Sequence, residues 1–298
     1  MDDEAVAHLA RALADGGLGP SPWRMPPHWW DDAHPERTAN VVLLLDALNF
    51  SFWGSPRWRV HWQGQDRDGY WGLAAALRHA LDGGQPLWDA AFLESLDAAT
   101  LLAGRDGVEI PLIEARQGAI REVSRGLAIV GGSLLTLVQQ SEGQVGTFIR
   151  LVAEHFPSFH DVAEYRGQAV PLYKRAQILV ADLHGATEGS VGDCWFADLE
   201  SLTMFADYKV PQVLHGLGVL RYTEDLEAVL RSETLLETND AREVEIRALS
   251  VHAVEKICAA LRGLGSPLAP FQADWALWTL GQGRAWPLPY HRTRTTAY

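Results

Sequence analysis

Cysteine is scarce: Cys194 and Cys258 are the only two in 298 residues, and they do not form a CxxC pair. That excludes a disulfide framework and a cysteine-rich zinc site, and makes a reducing cytoplasm the expected compartment. Long apolar runs are also missing. The longest, such as residues 41–45, fall far short of the roughly 20 residues that cross a bilayer. The acidic N-terminus MDDEAVAHLARALADGG lacks the basic start and apolar centre of a signal peptide. A soluble protein with no membrane partner is expected. Positive charge is in short supply, with 25 Lys and Arg against 38 Asp and Glu, a net charge of -13. A protein that tracks nucleic acid normally carries a basic patch to neutralise phosphates. The expected partner is therefore a small molecule and not a nucleic-acid polymer.

Several chemical signatures are absent as well. GATEGSVGD (185–193) is glycine-rich but lacks the Lys-Ser/Thr ending of a phosphate-binding P-loop, and no GxGxxG follows a strand. None of the 11 His falls in an HExxH pair or comparable metal spacing, and there is no GxSxG nucleophile elbow. Acid–base work by carboxylates is what remains, with no metal or cofactor expected.

What the chain does have is aromatic surface and helical periodicity. Its 12 Trp are ample material for stacking a planar ligand. Ile113, Ile120, Val123, Leu127 and Val130 recur at helical spacing, as do Phe148, Leu151, Val152 and Phe156 before Pro157. Asp240 with Glu243 resembles a capping box opening a helix that buries Ile246, Leu249, Val254, Ile257 and Leu261. Thr223 is placed to cap another helix. Strand signals are few: Trp58, Val60 and Trp62 alternate with polar residues, QGQDRDG reads as a turn, and residues 165–172 read as a short extended piece. Pro and Gly cluster at 16–27, 83–86, 104–111, 185–192 and 263–270, as loops within one body. The expected fold is mostly α with a few short strands. It forms a single domain over 1–298, in which residues 1–40 are a candidate N-terminal helical subdomain.

Four constellations carry chemistry. In LNFSFWG (48–54), Asn49 sits among Phe50, Phe52 and Trp53, either buried or edging a planar ligand. In LYKRAQILVADL (172–183), Lys174 and Arg175 stand at a helix start, where cations oppose the helix dipole. A ligand phosphate or an acidic neighbour would compensate. In CWFADLESLTMFADYKVPQVLHGLGVL (194–220), Phe-Ala-Asp occurs twice, at Asp198 and Asp207, among apolar neighbours. Asp207 precedes Tyr208 and Pro211, the latter suited to the first position of a helix. On pattern alone Asp207 reads as a turn or capping aspartate. The run 211–220, with Gly216 and Gly218, reads as a helix, a glycine turn and another helix. Near the C-terminus, Asp274, Trp275 and Trp278 can share a helical face, and Arg292 and Arg294 follow Tyr290 and His291.

Taken in order, NFSFW (49–53), GYW (69–71), YKRAQILVADL (173–183), TMFADYKVPQVL (203–214) and HRTR (291–294) resemble the queuosine salvage protein family. The blocks span roughly residues 40–298. The resemblance implies a helical domain similar to helix-hairpin-helix DNA glycosylases. It also implies hydrolysis of queuosine 5'-monophosphate to queuine and ribose 5-phosphate. Residue by residue, the family's catalytic aspartate falls on Asp207, the acid of the preceding motif on Asp198, its lysine on Lys174, and its C-terminal aspartate on Asp274. Two departures stand out: Thr279 follows Trp278 where relatives often carry an acid, and CWFAD contains one extra residue.

Such chemistry asks for a carboxylate at the anomeric carbon, which is Asp207 as nucleophile or as stabiliser of the sugar cation. A second acid, Asp198 or Asp274, would hold the base or its cationic aminomethyl side chain. Phe50, Trp53, Phe205, Tyr208, Trp275 and Trp278 are the candidates for walling the base, with Asn49 at its edge. Lys174, Arg175, Arg292 and Arg294 are those for the 5'-phosphate. Two other readings stay open. One is a DNA-repair glycosylase, from the helix–turn–helix look of 211–222, and the other a non-catalytic queuine or nucleoside carrier.

Overall fold

The computed structural model describes residues 1–16, 22–188 and 195–298, which form thirteen α-helices and two antiparallel hairpins. Helices α1 (Asp3–Gly16) and α2 (Pro35–Ala47) lead to the hairpin β1 (Arg59–Trp62) and β2 (Gln65–Asp68). Next come α3 (Gly69–Asp82), α4 (Ala90–Ser95), α5 (Ala98–Leu101), α6 (Ile113–Ile129), α7 (Leu135–Gln140) and α8 (Val145–His155). A second hairpin, β3 (Val162–Tyr165) and β4 (Gln168–Pro171), precedes α9 (Lys174–Ala186). The chain closes with α10 (Lys209–Gly216), α11 (Glu224–Arg231), α12 (Ala241–Gly263) and α13 (Pro270–Leu280). No helix among the described residues is long and apolar enough to cross a membrane.

Two helices form the centre. α2 packs on α9 and α6, and residues 38–47 of α2 are buried without interruption. α9 is buried from Lys174 through Leu183. A helix enclosed on every side needs no polar stripe, so any charge on it stands out. These two bury four: Asp46, Lys174, Arg175 and Asp182. Around them lies the larger apolar cluster, with Leu43, Leu44, Phe148, Phe156 and Leu179 at its heart. A second cluster joins α1, α10, α12 and α13 through Leu9, Val213, Val254, Ile257 and Leu277. The described part of residues 1–40 divides between the two, α1 lying on α12 and α2 entering the first.

The periodic segments at 113–129 and 145–155 are helices as expected, and β1 buries Val60 and Trp62 on one face. Five local expectations need correction. QGQDRDG is not a turn alone: after the bend at Gly64 it forms β2, paired through Trp62 and Gln65. Its charged side chains hide the alternation because both faces meet solvent. Leu249 is 47% exposed on α12 and takes no part in the buried face. Asp240 caps α12 by accepting from the Arg242 N–H at 2.9 Å, whereas Glu243 turns inward to Arg247 and Tyr298 instead of closing a capping box. After Gly218, which turns at φ 79°, the chain bends without regular structure until Thr223 caps α11, so no helix follows the turn directly. Pro211 lies in the first turn of α10, two residues beyond its start at Lys209. The glycine-rich stretch 185–193 and the loop at 16–27 fall partly outside the described residues, as does Cys194.

Candidate active site

The end of α2 shapes the site first. Its last carbonyls would be orphaned in an apolar interior. Two buried arginines answer them: Arg175 donates to Asp46 O at 3.3 Å and to Ala47 O at 2.7 Å, and Arg116 donates to Leu48 O and Phe50 O. Cations suit a helix C-terminus. The Arg116 guanidinium also lies 4.3 Å from the Phe50 ring and 5.0 Å from that of Phe52. From the other side, Ser51 N donates to Tyr298 O at 3.0 Å. The loop at 49–52 is thereby pinned, and its side chains form one wall of a cavity of ≈ 210 Å³.

The other walls come from distant parts of the chain. α3 contributes Tyr70 and Trp71, α9 contributes Lys174, Ile178 and Asp182, and α13 contributes Asp274, Trp275 and Trp278. The segment 205–209 closes the ring with Phe205, Asp207, Tyr208 and Lys209. That segment is held from two directions. Phe205 N donates to Asp274 Oδ1 at 3.1 Å, and Arg247 Nε donates to Ala206 O at 2.9 Å.

Asp207 does two things. Its Oδ1 accepts from Lys209 N at 2.8 Å and Val210 N at 3.1 Å, fastening the first turn of α10. The capping role read from pattern is real, and the same side chain lines the cavity. Burial raises its pKa above the ordinary carboxylate value, opposed first by the nearby Lys174 ammonium. Burial likewise lowers the pKa of Lys174, and Asp207 is the main charge that resists this. Lys174 Nζ donates to Asn49 O at 3.3 Å, and its N–H is capped by Asp161 Oδ2 at 3.0 Å. The compensation a cation needs at this helix start is thus supplied by acids of the protein itself. Asp274 is held well above the usual carboxylate range, by burial and then by the charge of Asp207.

Of the residues singled out in the sequence, the cavity gathers Asn49, Phe50, Lys174, Phe205, Asp207, Tyr208, Asp274, Trp275 and Trp278. Others lie elsewhere. Asp198 points to the start of α8, where Oδ1 accepts from Val145 N at 2.9 Å. Arg175 is spent on carbonyls, including Ser158 O. Arg292 pairs with Glu233 and stacks 5.7 Å from the Trp53 ring, which takes both away from the cavity lining. Arg294 is exposed on the tail. Pattern reading missed His28, Tyr70 and Asp182 in the cavity, and Asp46 beneath it. The available signal was an acid inside an apolar run, as in VLLLDAL and ILVADL.

A model of the queuosine salvage protein family matches residues 28–298, which takes in nearly all of the cavity lining. The chain belongs to this family. It is 46% identical over 303 aligned residues to a Sphaerobacter thermophilus protein named queuosine 5'-phosphate N-glycosylase/hydrolase, covering 100% of this chain and 92% of that one. A mouse protein of the same name is 35% identical over 323 residues, covering 100% and 94%. One from Schizosaccharomyces pombe is 36% identical over 273 residues, covering 84% and 78%. In this queuosine salvage family member, the motifs YKRAQ and FADYK, 31 positions apart from Lys174 to Phe205, meet across the cavity.

Proposed function

We propose that this chain hydrolyses the N-glycosidic bond of queuosine 5'-monophosphate, releasing queuine and ribose 5-phosphate, so that the base re-enters tRNA through a separate enzyme. One observation carries the reading: a half-buried carboxylate, Asp207, shares an aromatic-walled cavity with the buried Lys174, in a chain that aligns end to end with relatives of that name. Breaking the bond builds positive charge on the sugar and negative charge on the base. Because Oδ1 of Asp207 is engaged by two N–H groups, its second oxygen is the one available to the anomeric carbon. There it stabilises the sugar cation or attacks it. Lys174 favours the ionised form of Asp207 against the penalty of burial.

Asp274 serves as the second acid, holding the base or the cationic amine of its side chain. Phe50, Phe205, Tyr208, Trp275 and Trp278 provide the stacking surfaces. For the 5'-phosphate, the exposed Arg57 and the partly exposed Lys209 replace Arg175, Arg292 and Arg294, since both line the cavity. The reading extends to fold and setting. α10, the turn at Gly218 and α11 suit kinship with helix-hairpin-helix DNA glycosylases, while the charge of -13 favours a free nucleotide over a polymer. The cytoplasm is the proposed compartment, where the free Cys258 stays reduced.

Incubating pure protein with queuosine 5'-monophosphate and separating the products by chromatography tests this. Queuine and ribose 5-phosphate in equal amounts are expected. Intact substrate recovered after prolonged incubation would refute the reading, and tight binding in that case would make the protein a carrier.

A further inference from the structure

A line of polar groups runs along the cavity wall, and its proton count is fixed by its partners. His28 Nδ1 lies 2.5 Å from Trp23 O, and a carbonyl only accepts, so Nδ1 carries a hydrogen. His28 is 5% exposed and burial lowers its pKa to about 4, which makes the ring neutral near pH 7. Its Nε2 is then a bare acceptor, 2.8 Å from the Tyr70 hydroxyl, and the single phenolic hydrogen must point at it. Tyr70 Oη has only lone pairs left for Asp182 Oδ2, 3.3 Å away. Two sets of lone pairs would repel, so the hydrogen in that contact belongs to Asp182.

We infer that His28 and Tyr70 hold Asp182 as a neutral carboxylic acid, and that Asp182 is the proton donor to the departing base. His28 and Tyr70 are positioning residues, and Asp182 lines the cavity where the base would enter. Burial favours the neutral form, and the Trp23 side chain is the first of the groups that oppose it. From α2, the fully buried Asp46 and Asp182 disfavour each other's negative charge, and from the start of α9, Lys174 favours one on Asp182. Burial dominates and raises the acid to about pH 7. The contact to Tyr70 is long for an O–H···O bond, so a better acceptor entering the cavity takes the hydrogen. In the reaction the C–N bond breaks, its electron pair goes to the base nitrogen, and water forms the new C–O bond at the sugar carbon with release of a proton to solvent. The Asp182 proton moves to the base, and the acid is left as carboxylate until solvent restores the proton.

This inference rests on the glycosidase reading, and its test separates the two. ¹⁵N NMR of the histidine rings in the wild-type protein, with His28 assigned by the spectrum of His28→Phe, reads the tautomer without turnover. Protonated Nδ1 and bare Nε2 at neutral pH are expected; a protonated Nε2 would overturn the inference. In kinetics, Asp182→Asn is expected to lower kcat by ~10²–10³ with KM little changed. His28→Phe frees the Tyr70 hydroxyl to donate to Asp182, which stabilises the carboxylate. The basic limb of the kcat/KM profile should then move about one unit toward acid. Equal loss at all pH values in His28→Phe, or full kcat in Asp182→Asn, would overturn it. If His28→Phe does not fold, Asp182→Asn and the wild-type spectrum decide. A wild-type protein that releases no queuine would remove the glycosidase reading itself, whatever the tautomer.

Discussion

One oxygen of Asp207 fastens α10 and the other is left to the cavity, so substitutions there separate the two duties. Asparagine can still accept both N–H groups through its carbonyl. Asp207→Asn is therefore expected to fold with stability changed by less than about 1 kcal/mol, to bind ligand, and to lose ~10³ or more of kcat. Full activity would make Asp207 purely structural. Because burial raises its pKa, the ionised form disappears as pH falls through a value above the usual 3.8 of a free aspartate. The acid limb of kcat/KM should accordingly lie above that of an exposed carboxylate, and a limb near pH 3 would contradict the role. Asp207, Lys174 and Asp274 were legible in the sequence because motif and oddity coincide. Asp46 and Asp182 were not, since apolar flanks on both sides mimic core. Asp198 misled because its Phe-Ala-Asp copies the Asp207 context while its side chain caps α8.

At the scale of elements, α6 shows how closely helices fit here. A Cβ on Gly126 would lie 2.2 Å from the Phe156 ring, whereas one on the exposed Gly118 of the same helix meets nothing within 4 Å. Gly126→Ala should lose ~1–3 kcal/mol by overpacking. Gly118→Ala should gain up to about 1 kcal/mol from helix propensity. Denaturant midpoints check both, and equal responses would mean that the α6 contact is slack. Elements with one wet and one dry face, such as α6 and α8, were readable from spacing. α2 was harder to read, because a helix buried all round has no periodic contrast, and β2 because it has no buried face.

For the molecule as a whole, Arg247 is the tie between its parts. It reaches from α12 to Asp161 at 2.6 Å, to Glu243 at 3.2 Å and to Ala206 O, with the Tyr298 ring 4.2 Å away. Replacing it leaves two buried acids without their partner. Arg247→Met is expected to cost ~3–5 kcal/mol and, by loosening the residue before Asp207, to lower kcat in the protein that remains folded. Melting curves and kinetics at a temperature where the variant is native would check this. A variant as stable as the parent would show that the buried acids do not depend on Arg247.

Trp23, Trp71, Trp275 and Trp278 all border the cavity. The protein is consequently its own optical probe. A heteroaromatic base stacked among those indoles should quench their emission in proportion to occupancy, with no label attached. Asp207→Asn, if it turns over as slowly as expected, would then report equilibrium affinities for nucleotide, nucleoside and free base in turn, and Trp278→Phe should dim the response without abolishing it.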